Sequence, residues 1–96
     1  MKTLVDLKRY LHRGIIIKCV YSRWYQGNVG KLREVTKAQS NGVFLTDPEG
    51  LRANFDRQRG MGSFLKFPPA SNVEVDNNGF KIYEKGKLIF EYRFIN

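Results

Sequence analysis

The chain has 96 residues, 42% of them hydrophobic and 27% charged, which is the balance of one small globular domain and argues against extensive disorder. Its net charge of +8 leads to the expectation of a polyanionic partner, and its single cysteine excludes an intrachain disulfide, which fits a reducing, cytoplasmic setting. No apolar run reaches the length of a membrane span, since "IIIKCVY" is broken by Lys18, and "MKTLVDLKRYL" lacks the apolar core of a signal peptide, so no membrane contact is expected.

The first element reads as a helix over about 3–13. Thr3 is placed to cap it, Asp6 sits three residues on, and Leu4, Leu7, Tyr10 and Leu11 form an apolar stripe. Lys8, Arg9, His12 and Arg13 fall away from that stripe, and Gly14 suits a helix stop.

From Gly14 the period changes to two. "GIIIKCVYS" sets Ile15, Ile17, Cys19 and Tyr21 on one face and Ile16, Lys18 and Val20 on the other. "SRWYQGN" is a turn, and "VGKLREVTKAQ" a second strand with Lys31, Arg33, Val35 and Lys37 on one face. "SNG" turns into "VFLT", and "DPEG" turns again, into an irregular stretch over 51–62. "SFLKF" is a short strand stopped by Pro68 and Pro69, and "NVEV" is another. "FKIYE" and "KLIFEYRF", joined at Lys85–Gly86, form a closing hairpin with Leu88, Phe90, Tyr92 and Phe94 on one face.

One helix and six or seven short strands predict a mainly β domain of α+β type: a small, strongly bent SH3-like or OB-like barrel over about 15–76, with an added C-terminal β-hairpin over about 79–95. Over roughly residues 3–76 the order of elements resembles the Sm-like small barrel: a basic helix, a strand after a glycine, a long second strand, an asparagine-containing turn into "VFL", then two short strands. The resemblance implies an SH3-type barrel and contact with RNA or DNA, and it assigns no individual binding residue. The small basic composition also resembles accessory proteins of phage or bacterial mobile elements.

Catalysis is not expected. His12 stands alone among arginines, Cys19 alternates onto an apolar face, and one histidine with one cysteine makes no metal site. Asp47, Glu49 and Asp56 are close in sequence, but Pro48 and Gly50 make "DPEG" a turn. "RGMGS" lacks the lysine and hydroxyl spacing of a phosphate loop, and no cofactor is implied.

The charge is one-sided. Residues 1–37 carry nine basic and two acidic residues, net +7, whereas 38–96 carry eight and seven, net +1. "SRWYQGNVGKLREVTK" interleaves Arg23, Lys31, Arg33 and Lys37 with Trp24 and Tyr25, a pattern that suits phosphate contact beside base stacking. "RANFDRQRGMG" places Arg52, Arg57 and Arg59 beside Phe55, ahead of Gly60 and Gly62, and reads as a mobile loop folding against phosphates. The expected function is non-enzymatic binding of DNA or RNA, single strands foremost, over a surface joining Lys8, Arg9 and Arg13 to these two stretches. The alternative is a protein-interaction module, such as an accessory or inhibitor protein of a phage or mobile element, that uses a barrel edge or the final hairpin to contact a protein partner.

Overall fold

In the computed structural model, which describes residues 3–95, the chain forms two short helices and one seven-stranded antiparallel sheet. In chain order these are α1 (Leu4–Lys8), β1 (Ile16–Ser22), β2 (Leu32–Gln39), β3 (Gly42–Thr46), α2 (Ala53–Arg59), β4 (Ser63–Lys66), β5 (Asn72–Val75), β6 (Gly79–Glu84) and β7 (Lys87–Phe94). The strands lie in the order β4-β3-β2-β1-β7-β6-β5.

The sheet is curled but not closed. β4 and β5 are its two edges, and no pairing joins them among the described residues. Yet only Phe67–Ser71 separates them in sequence, a reach of roughly 20 Å at full extension. Phe67 also packs against Phe80 of β6 and Phe90 of β7, each at 6.3 Å between ring centroids. The edges therefore curve toward each other around one core. That core contains Ile17, Val35, Val43, Phe80, Ile82 and Phe90, all essentially excluded from solvent. Each such side chain contributes roughly 1.5–3 kcal/mol of burial. Leu7 and Leu11 enter it from the N-terminal segment, and α1 packs against β5.

Four expectations are corrected. The first helix is shorter than 3–13. Asp6 does reach back to the Thr3 N–H at 2.9 Å, but beyond Lys8 the backbone tightens into i→i−3 bonds that still carry Leu11 inward. The final hairpin is not an appendage. β7 pairs along β1 from Ile17–Phe94 to Ser22–Phe90, which puts the hairpin inside the sheet. Its turn is set by Lys85 and Gly86, both at positive φ, as a two-residue hairpin requires.

The 51–62 stretch is not a loop. "ANFDRQR" has no glycine or proline and forms α2, stopped by Gly60 in the left-handed conformation. Three bulges also break the simple alternation. One between Cys19 and Tyr21 turns Tyr21 outward and Ser22 inward. Another, between Val35 and Lys37, buries Thr36 and leaves Lys37 exposed, so Lys37 does not share the face of Lys31, Arg33 and Val35. The third, at Ile89 in β7, buries Ile89 beside Phe90 and takes Leu88 out of the alternation it was expected to share with Phe90, Tyr92 and Phe94.

Candidate nucleic-acid interface

The site begins at the turn between β1 and β2. Ser22, turned inward by the bulge, accepts a hydrogen bond from the Tyr25 N–H at 3.0 Å and fixes the turn. A single 3₁₀ turn, Gln26–Asn28, then returns the chain to β2. Both large aromatics lean on the buried ring of Phe90. Trp24 meets it edge-on at 5.5 Å and Tyr25 lies parallel to it at 6.4 Å. Each remains about half exposed, 47% and 50%. They are rim residues, with one side on the core and the other facing solvent.

Cations flank them on both sides. Arg23 and Trp24 line a hollow with Lys85, Lys87, Glu84 and Ile89. On the other side Tyr25 lines a hollow of about 260 Å³ with Lys31 and Arg33. Register explains the placement of these two cations. Arg33 is opposite Ile17, a core residue, so it projects from the concave face. Lys31 accepts the Cys19 N–H at its carbonyl, which seats it beside another inward-facing position. The floor of this hollow is Cys19, Tyr92, Leu45 and Leu65, all buried, and Asn28 and Ser63 add polar groups to its lining. Burial pushes the Cys19 thiol above its ordinary 9.0, against a smaller lowering by its hydrogen bond to Tyr92. Burial first, and Cys19 second, push the Tyr92 phenol well up. Both groups are therefore neutral at pH 7.

A larger hollow adjoins the first and shares Arg33, Leu45 and Ser63 with it. Its far side carries Arg52, Asp47 and Asp56 at the start of α2. On α2 the Phe55 ring is 43% exposed and lies under two guanidinium groups, Arg52 at 5.1 Å and Arg59 at 4.9 Å. Arg57 behaves differently from its neighbours. Its guanidinium bonds both carboxylate oxygens of Glu34, the Asn54 side chain and the Pro48 carbonyl. That side chain is committed to the fold.

Of the acids near α2, Asp56 is likewise engaged, while Asp47 is exposed and its carboxylate accepts only the Glu49 N–H of its own turn among the described residues. Asp56 is buried, accepts the Thr46 hydroxyl at 2.8 Å and lies 3.9 Å from Arg52. Arg13 donates to the Arg57 carbonyl, which joins the segment after α1 to α2, and Lys37 runs beside Gly60. Lys8 and Arg9 are exposed on α1, which packs against β5, and neither lines the hollows described above.

The structure thus brings Tyr25, Lys31, Arg33 and Arg52 into one band of two adjoining hollows, with Phe55 and Arg59 at its α2 end, while Arg23 and Trp24 line a separate hollow that meets this band at the Phe90 ring. Asn28 and Ser63 join the band, and Lys85 and Lys87 the separate hollow, without having been expected. Lys85 reads in sequence only as part of a hairpin turn, and Lys87 and Ser63 only as strand starts. No family model, no curated protein and no solved structure matches this chain.

Proposed function

We propose that this chain is a non-enzymatic nucleic-acid-binding protein that takes single-stranded DNA or RNA along the band and hollow just described. The observation that carries the reading is a pair of half-exposed rings flanked by cations. Lys87 and Arg23 lie on the Trp24 side of the pair, and Lys31 and Arg33, with Arg52 beyond them, on the Tyr25 side. Single strands present bases to rings and phosphates to cations at similar spacing, and each stacked base is worth about 1–3 kcal/mol. The carboxylates of Glu34 and Asp56 are bound within the fold, whereas Asp47 and Glu84 line the outer hollows and offset part of the positive field there. On this reading the curled sheet is an opened relative of the SH3-like barrel, with the strand crossing its mouth.

A protein-interaction module is the second reading. Its support is the unpaired outer edge of β4, where Phe64 and Met61 are exposed. The final hairpin offers it less, because Phe80, Phe90 and Tyr92 all turn inward.

Amide chemical-shift mapping separates the two. Titration with a single-stranded oligonucleotide is expected to shift residues 23–33, 52–63 and 85–87 together. Shifts confined to β4, or none at all, would overturn the nucleic-acid reading.

A further inference from the structure

We propose that the hollow between Lys31 and Arg33 is a guanine subsite, in which one base of the passing strand stacks on Tyr25 and turns its O6 and N7 toward the Arg33 guanidinium. The proposal rests on the nucleic-acid reading above and adds a base preference to it. The hollow shares Arg33, Leu45 and Ser63 with its neighbour, so the strand enters and leaves along the path already given.

The first support is the platform. The Tyr25 ring lies parallel to the buried Phe90 ring, which steadies its plane, and half of it stays exposed. A ring held in this way offers a face to a base rather than to a phosphate. The hollow beside it, about 260 Å³, lies just below the range of about 300–1,000 Å³ usual for small-ligand sites. That is room for one base, with its sugar and phosphate left outside, where Lys31 is exposed.

The second support is an open arginine fork. Arg33 Nη1 donates to the Leu32 carbonyl at 2.8 Å, which steadies the side chain. Its Nε–Nη2 edge, the edge with which Arg57 grips Glu34, has no partner among the described residues. Arg33 is half-buried and its charge is felt at the floor, where burial raises the Tyr92 phenol and Arg33 opposes that rise. A fork held over that floor calls for two acceptors side by side. Guanine supplies them as O6 and N7, whereas adenine puts the N6 donor in the place of O6. Cytosine also carries adjacent acceptors, O2 and N3, but on a smaller ring with less to stack on Tyr25.

The third support is charge. A phosphate against Arg33 would share the adjoining hollow with the exposed carboxylate of Asp47. A base is neutral and escapes that repulsion. No Asp or Glu lines the guanine hollow itself, so no carboxylate there competes for the fork. Asn28 and Ser63 both donate and accept, and serve the remaining polar atoms of the base.

The full chain is titrated with a short oligothymidylate in which one central base is guanine, hypoxanthine, 7-deazaguanine, adenine or cytosine, all at the same salt concentration. Guanine and hypoxanthine, which share O6 and N7, are expected to bind about tenfold more tightly than the other three. Arg33→Gln is expected to shift the preference to adenine, because glutamine pairs with N6 and N7. The base series needs no variant, so it decides the proposal even where Arg33→Gln fails to fold. Equal affinity for all of these strands overturns the guanine subsite while nucleic-acid binding stands. Binding of 7-deazaguanine as tight as that of guanine, or a folded Arg33→Gln chain that still prefers guanine, overturns the pairing with Arg33. Absence of binding to every strand overturns both readings.

Discussion

The guanidinium of Arg57 spans the carboxylate of Glu34, with Nε donating to one oxygen at 2.8 Å and Nη2 to the other at 2.9 Å. One residue lies in α2 and the other in β2, so this pair fastens the helix to the sheet. Glu34 is nearly buried, and a carboxylate there needs such a partner. Removing the fork is expected to free α2 before the sheet melts. Arg57→Ala and Glu34→Gln should each lower Tm by roughly 4–8 °C, the shift typical of one lost net interaction in a domain this size. Hydrogen exchange should rise over 53–59 more than over β6 and β7. Uniform exchange would contradict the clamp.

Trp24 reports both on the fold and on the proposed ligand. As a half-exposed ring edge-on to Phe90, it gives up about 0.5–1.5 kcal/mol of ring contact when lost, well short of a core aromatic. Trp24→Ala is therefore expected to remain folded while binding to single strands weakens by about 1–3 kcal/mol. Titrated oligonucleotide should quench the native tryptophan fluorescence at low salt. An unfolded variant, together with an unquenched native protein, would make Trp24 a core lid and nothing more.

Gly62 carries backbone that no other residue fits. Its φ is +135°, and a Cβ there would stand 2.2 Å from the Leu45 carbonyl oxygen. This close approach lets the exit of α2 turn directly into β4 beside β3. Gly62→Ala should cost well over about 1 kcal/mol and lower Tm. A variant as stable as the native protein would refute the close approach.

Alkaline stability follows from Cys19 and Tyr92. Both are acids whose folded values lie above their ordinary 9.0 and 10.0. The stability this adds is full below those ordinary values and is lost as pH rises through the folded ones. Tm is expected to hold level from about pH 6 to 8 and to fall above about 9. Cys19→Ala should delay the onset toward the tyrosine range. A fall that begins below pH 8 would point to other groups.

These residues also mark what the sequence makes legible. Period-two patterning located every strand, because half-buried strands write their faces into alternate positions. It could not locate the bulges, since an extra residue at Val20, Thr36 or Ile89 answers to cross-strand pairing and leaves no local mark. "ANFDRQRGMG" was read through its arginines and glycines as a loop. In the structure Gly60 ends a helix and Gly62 meets β3, while Arg57 holds Glu34, a partner 23 residues away that no local pattern reveals. The basic and aromatic stretch from Arg23 to Arg33 was legible because composition alone marks it. Its concave-face placement required the register with β1.

The salt dependence of single-strand binding tests the central claim most directly. The affinity of the native chain and of an Arg52→Ala, Arg59→Ala variant is measured from 0.05 to 0.5 M salt (roughly a tenfold span of ion concentration, enough to define the log–log slope). Both guanidinium groups lie outside the Glu34 clamp, and Asp56 loses only a 3.9 Å ion pair to the exposed Arg52 while keeping the Thr46 hydroxyl, so folding should survive the change. The native logarithm of affinity is expected to fall linearly with the logarithm of salt, by about 0.7 for every phosphate contacted. The variant's slope should be shallower by up to about 1.4. Undetectable binding at the lowest salt, or an affinity indifferent to salt, would contradict the assignment of this surface to nucleic acid.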